Sequence, residues 1–255
     1  SLWYPVDHDE NGNRITTTLS VMTGTDGSGN VVTGGTCGDW TESTGAVQQN
    51  AGLVSAGTAA WTNWTEQACT LPGRLYCLQT SQNVAVTVPA TQGRTMFVTS
   101  VGWDTSTGLA GADALCASDA KGANLSGTFL ALLPTDTASA ISRFDTTGTP
   151  WIRVDGVPIV AQASDMATYS LLTPACLSSK GAYETYGGAI SGSTSISMAA
   201  TDANDCVGWT TKVSPNKVML TRTDATIVPG YTNAFGDLGA TWSCGTNWPI
   251  ICMQP

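Results

Sequence analysis

Charge is scarce in this chain. Lys and Arg number 10 and Asp and Glu 19 among 255 residues, which leaves 11% charged side chains and a net charge of −9. Nucleic-acid phosphates and anionic lipid headgroups both demand basic patches, so a chain with a pI near 4.3 is expected to bind neither. Long apolar runs are missing as well. A membrane-spanning helix needs roughly 18 consecutive apolar residues. Val84-Ala85-Val86-Thr87-Val88 and Ile250-Ile251 are strand-sized, so no membrane insertion is expected. No leader segment is legible at Ser1, which points to a mature chain or an excised piece.

Catalytic parts are equally thin. His8 is the only histidine and stands far from every cysteine; with no Cys-x-x-Cys pair, a zinc site has nothing to build on. A Ser-His-Asp or Cys-His arrangement would lack its base over most of the chain. Gly24 to Asn30 is glycine-rich but carries no lysine and leads into no helical pattern, which excludes a phosphate loop. Asp202 and Asp205 are paired carboxylates, yet their spacing is equally that of a solvated loop. The expectation is a protein without a cofactor and without enzymatic activity.

What is present points elsewhere. Apolar residues make up 42% of the chain alongside 28 glycines and many serines and threonines. That composition is not disorder, and it suits short strands joined by many turns. Eight cysteines at wide spacings read as disulfides of an oxidising compartment, hence an extracellular or cell-surface protein.

Sliding the chain against itself exposes a repeat. Thr36-Cys37-Gly38-Asp39-Trp40-Thr41 matches Asp205-Cys206-Val207-Gly208-Trp209-Thr210. Trp64, Cys69 and Leu75-Tyr76-Cys77-Leu78-Gln79 match Trp242, Cys244 and Ile250-Ile251-Cys252-Met253-Gln254. Pro5 precedes Cys37 by 32 places and Pro174 precedes Cys206 by 32, while Gly12 falls on Gly181 at the same offset of 169. Only the interval between the first two cysteines differs, 32 against 38, as expected where a surface loop absorbs an insertion. The second copy starts near Arg94, so the opening half of the first is expected about 75 residues before Ser1. Residues 1–79 then read as the C-terminal half of a first repeat, 80–93 as a linker or edge strand, and 94–255 as a complete domain. Trp40, Trp64, Trp209 and Trp242 are repeated landmarks and are expected in the core.

Within the complete copy, Met96–Ser100 reads as an opening strand. Gly111–Ala117 reads as a helix with Leu109, Ala112, Leu115 and Cys116 on one face and Thr107 as its cap. Trp151–Val160 reads as a hairpin about Asp155-Gly156. Six motifs accompany these elements: Phe97–Ser100, Gly111–Cys116, Gly127–Phe129, Val154–Gly156, Cys206–Thr210 and Cys252–Gln254. Together they resemble the endostatin-like branch of the C-type-lectin-like superfamily, most closely a bacterial secreted family of unknown function. The resemblance implies an α+β fold, a C-type-lectin-like mixed domain with short strands, long loops and disulfides, preceded by a partial copy of itself. It also implies bridges Cys116–Cys252 and Cys206–Cys244, with Cys37–Cys69 as the inner bridge of the first copy. Cys77 and Cys176 are left unassigned and could bridge each other within or between chains.

Lectins of this superfamily often hold sugar through calcium, using a Glu-Pro-Asn loop and a Trp-Asn-Asp strand. Here the loop is Ser214-Pro215-Asn216 and the strand carries Gly239, Ala240 and Thr241, so that site is expected to be absent. Glu66 keeps one carboxylate in the first copy. Asp7, Asp9 and Asn11 alternate up to Gly12 like a calcium loop, but Thr18 stands where the closing acid belongs, and a polar turn is the better reading. Trp103, Trp151 and Trp248 have no counterpart in the repeat and are candidates to face a sugar or protein ligand. The function expected is a structural or adhesive module of a secreted or cell-surface assembly, such as a filament subunit, with self-association through the open edges of residues 1–79. The alternative is a calcium-independent carbohydrate-binding lectin with a glycan partner.

Overall fold

The structure, a computed structural model, describes residues 2–15, 20–57, 60–81, 84–87, 91–184, 187–226, 235 and 241–255. It is a mixed α+β protein with few helices, several small sheets and three disulfides. The described residues fall into two compact units, within 2–87 and within 91–255. No described helix is long and apolar enough to cross a membrane.

The first unit carries one antiparallel sheet of β1 (Ser20–Met22), β2 (Gln48–Leu53) and β3 (Thr65–Ala68), in that order. Before β2 the chain makes an unusual turn in which Cys37, Gly38, Asp39 and Trp40 all have positive φ, between 49° and 64°. Side chains resist that region, and two local bonds hold it: Thr36 accepts from the Asp39 N–H, and Trp40 N donates to the Thr36 carbonyl at 2.7 Å. The Cys37–Cys69 bridge then ties the turn to the residue after β3. The segment expected as a linker or edge strand joins no strand at its described residues 84–87.

The second unit contains β4 (Arg94–Val98), α1 (Gly108–Gly122), β5 (Leu130–Ala131), β6 (Trp151–Ile152), β7 (Gly188–Ile190), β8 (Lys217–Arg222), β9 (Thr241–Ser243) and β10 (Ile251–Met253). One sheet runs β5-β10-β4-β6 and another β7-β8-β9. The first strand of the unit lies against its last, antiparallel, with Phe97 opposite Cys252. Helix α1 buries Ala112, Cys116 and Ala120, a stripe of small side chains at a spacing of four that lets it sit close to the sheet. Cys116 bonds Cys252 across that contact. Thr107 stands at the N-cap position but its side chain makes no capping bond. Instead its hydroxyl accepts from the Trp103 indole at 2.9 Å and donates to the Asp104 carbonyl. The helix ends where Asn124 takes a left-handed conformation and Leu125 N returns to the Ala120 carbonyl.

Two motifs behind the family resemblance have structural duties. Asp113 of α1 accepts from the Ala131 N–H at 2.9 Å and from Arg143 at 2.6 Å, which fixes the helix to β5. Gln254 accepts from Thr95 N, donates to the Ser126 carbonyl, and offers its own carbonyl to the Trp151 indole. Trp151 is fully buried, with Arg94 stacked 3.7 Å from its ring centre, and Trp103 is buried against Trp209 at 5.2 Å. Neither of these two candidates faces a ligand, because each is a large apolar body packed in the core.

The two sheets β1-β2-β3 and β7-β8-β9 share one register over the described pairs. Met22 faces Ala51 and Ile190 faces Leu220; Gln49 faces Gln67 and Val218 faces Trp242. The turn recurs at Cys206–Trp209, again with positive φ throughout, and Cys206–Cys244 closes it. Thr36 bridges Gln49 as Asp205 bridges Val218, and His8 bridges Arg14 as Leu177 bridges Tyr183.

Gly192 illustrates how tightly this substructure packs in the second unit. It has a positive φ of 68°, and a Cβ there would stand 2.5 Å from Cζ2 of the buried Trp209 ring. Gly192→Ala is therefore expected to destabilise the second unit by about 2–4 kcal/mol, combining backbone strain with overpacking. Gly12→Ala shares the backbone cost but meets nothing within 4 Å, and is expected to cost about 1–2 kcal/mol. Urea unfolding of both variants checks the difference; equal losses would mean that Trp209 can move aside.

Candidate functional site

Three places in the structure carry chemistry that folding alone does not use up. The first is a face of the first unit. In the second unit Trp209 is enclosed at 2% exposure, donating its indole N–H to the Pro134 carbonyl at 2.8 Å. Its counterpart Trp40 is 51% exposed. Leu75 and Leu78 are 69% and 74% exposed, whereas their counterparts Ile250 and Met253 are fully buried. A cavity of about 450 Å³ opens here, lined by Met22, Trp40, Gln49, Leu75 and the Cys37–Cys69 bridge. Gln49, the counterpart of the core residue Val218, is itself buried, and neither amide atom has a hydrogen-bond partner among the described residues. Leaving both atoms of a buried amide unsatisfied is costly.

The second place is acidic. Asp136, Asp202 and Asp205 each bring a carboxylate oxygen within 4.8 Å of the others. Asp205 is fully buried; its Oδ1 accepts from the Gly208 N–H at 3.0 Å and its Oδ2 meets no donor among the described residues. Burial above all, and then side-chain contact with Asp136 and the charges of Asp136 and Asp202, push its pKa up to about 6. An oxygen-only group of this kind suits a hard cation or a shared proton. The proximity of Asp202 and Asp205 was legible in the sequence, but Asp136 arrives from the loop after β5 and had no local signal.

The third place is an aromatic pair. Trp242 on β9 is 43% exposed, not core as its match to Trp64 suggested; the strand register makes Gln67 its counterpart instead, and Trp242 meets the half-buried Trp248 edge to face at 5.2 Å. Trp64 is half-buried. Of the three tryptophans that were candidates to face a ligand, only Trp248 lies near the surface.

The residues that came nearest to a calcium loop form a turn. Asp7 is buried and bonded to Arg14 at 2.8 Å and His8 at 2.9 Å. Asp9 accepts from the Asn11 and Asn13 backbone N–H groups, and Asn13 holds its carboxyl below the usual range. Glu66 is exposed on β3, opposite Asn50. None of Asp7, Asp9 and Glu66 belongs to a described group of ligating side chains.

The two remaining cysteines are free thiols, not a bridge. Cys77 is exposed. Cys176 is buried beside Arg153 Nη1 at 3.9 Å, and burial pushes its thiol up to about 11 despite that guanidinium. An enclosed thiol cannot reach another chain without local opening, which rules out a surface bridge at Cys176. At pH 8 the 255-residue chain is expected to consume one equivalent of an aromatic disulfide reagent rapidly, at Cys77. The second equivalent should react at least about a hundredfold more slowly and become fast in urea. Two fast equivalents in the folded protein would contradict this placement.

Among known proteins, no family model matches this sequence and no curated protein matches it.

Proposed function

We propose that the chain is an extracellular, non-enzymatic structural or adhesive module built from C-type-lectin-like domains in tandem, with protein partners that include further copies of itself. The observation that carries this reading is the twofold use of one substructure. A three-stranded sheet and a bridged left-handed turn are repeated with the same register, while the side chains they present differ. Repetition of a scaffold with changing surfaces suits an array that makes contacts, whereas catalysis needs one assembled constellation. The three disulfides favour an oxidising compartment.

On this reading, protease treatment of intact cells should remove the protein, and non-reducing gels should show its bridges oxidised. Light scattering of the natural polypeptide should show mass rising with concentration. A reduced, strictly monomeric protein inside the cell would sink the proposal.

A second reading, a calcium-independent lectin, is favoured by the exposed Trp242 and its partner Trp248, since a rigid aromatic face can stack on a sugar ring. If it holds, glycan-array binding should persist in chelator and fall at least about tenfold in Trp242→Ala, a loss of the size expected for an aromatic anchor. Binding that survives this substitution would remove the reading.

A further inference from the structure

In the repeated sheet Gln49 and Val218 hold the same place. Each is bridged by the residue just before the turn cysteine, Thr36 or Asp205, and each faces a residue of the third strand. Both are wholly buried. Val218 belongs to an apolar core and needs no partner. Gln49 brings an amide, and neither its Oε1 nor its Nε2 has a partner among the described residues. Val218 shows that the backbone here accepts an apolar side chain, so the sheet itself does not call for the amide. A buried donor and acceptor left unmatched weaken a fold, and such local costs gather where a protein binds something.

The amide stands in the wall of the cavity of about 450 Å³, beside Met22, Trp40, Leu75 and the Cys37–Cys69 bridge. Among the described residues that line it, Glu42 alone is charged. A cavity of this size, apolar but for a few polar groups, has the character of a small-molecule site. Gln49 exposes nothing to water, so an occupant meets its amide by moving a wall side chain aside. Trp40 and Leu75 are each more than half exposed, and Met22 has the freedom of an unbranched thioether. The wall can therefore give without opening the sheet.

We propose that this cavity is a binding site for a small, flat, uncharged molecule that carries a primary carboxamide. The carboxamide and the Gln49 amide form two parallel hydrogen bonds. Nε2 donates to the ligand carbonyl, and the ligand N–H donates to Oε1. The pairing is the same whichever way round either amide stands. The ring then lies among Trp40, Met22 and Leu75, where ring–ring and sulfur–ring contacts add to apolar burial. A carboxylate of the same shape is excluded on two counts: Glu42 repels it, and it has no N–H for Oε1. Water fits less well, because a buried water needs about two to four polar partners and most of this wall is apolar. The site lies wholly within the first unit and does not depend on the adhesive or the lectin reading.

Benzamide is the probe. Titrated into the isotope-labelled 255-residue chain, it should shift the side-chain amide signals of Gln49 and the indole N–H of Trp40. A Kd of about 1 mM or tighter is expected for a ligand of its size. Benzoate, which is charged, and N,N-dimethylbenzamide, which has no N–H, should each bind at least about tenfold more weakly. Trp40→Ala removes one wall and should weaken benzamide at least about fivefold, yet keep the discrimination against dimethylbenzamide.

Gln49→Met keeps the length of the side chain and loses its amide. Without ligand this variant should unfold at a higher urea concentration than the natural chain, and it should bind benzamide at least about tenfold more weakly. A variant less stable than the natural chain would show that water already satisfies the amide, and would overturn the inference. So would equal binding of dimethylbenzamide, benzamide binding that survives Gln49→Met, or no shift at Gln49 up to about 10 mM benzamide.

Discussion

The second unit depends on its first strand lying against its last. β4 and β10 are far apart in sequence, so their pairing closes most of the unit into one loop, and Cys116–Cys252, separated by 136 residues, locks it. By the chain-entropy argument such a bridge removes about 5 kcal/mol of freedom from the unfolded chain. The bridge is also packed, in a core with Phe97 and Phe129, whose rings lie 5.2 Å apart. With the ends held together, the long connections between β6 and β10 can be loop-rich without loosening the domain.

The same constraint explains why one substructure has two faces. In both units the left-handed turn, the three strands and the bridge across them are held mainly by backbone hydrogen bonds and a covalent link. Their geometry therefore survives the change from Val218 to Gln49 and from an enclosed Trp209 to an exposed Trp40. What differs is the cover. In the second unit, where β4 and β5 flank β10 and α1 is bonded to it, Ile250, Cys252 and Met253 are fully buried. Each large apolar side chain so enclosed is worth about 1.5–3 kcal/mol relative to leaving it in water. In the first unit that stabilisation has not been drawn on at Leu75 and Leu78.

A chain this poor in charge uses most of its carboxylates singly and locally. Asp113 joins helix to strand through Arg143, Asp119 accepts from Ser100 and Ser179, and Asp9 closes a turn. Each of these carboxylates finds hydrogen-bond donors. Asp136, Asp202 and Asp205 break that habit by facing one another, with a buried oxygen on Asp205 left over. Burial first, and then contact with Asp136 and Asp202, raises the Asp205 carboxyl above its ordinary value.

The sequence by itself determined the parts whose signals are local or repeated. The 169-residue offset aligned the two sheets and their bridged turns, Asp155-Gly156 marked the turn after β6, and the spacing of Ala112, Cys116 and Leu115 marked α1. Composition decided against a membrane-crossing helix. Exposure was legible only in part, because a repeated residue inherits its backbone position but not its neighbours. Trp40 and Trp209 hold the same place in the same turn, and only the second has Pro134 and Trp103 beside it. Trp103 and Trp151 stood outside the repeat and still belonged to the core. The meeting of Asp136 with Asp205 and the unpaired amide of Gln49 beside its cavity were decided by tertiary structure alone. Each is set by which distant segments pack together, and no window of sequence carries that contact.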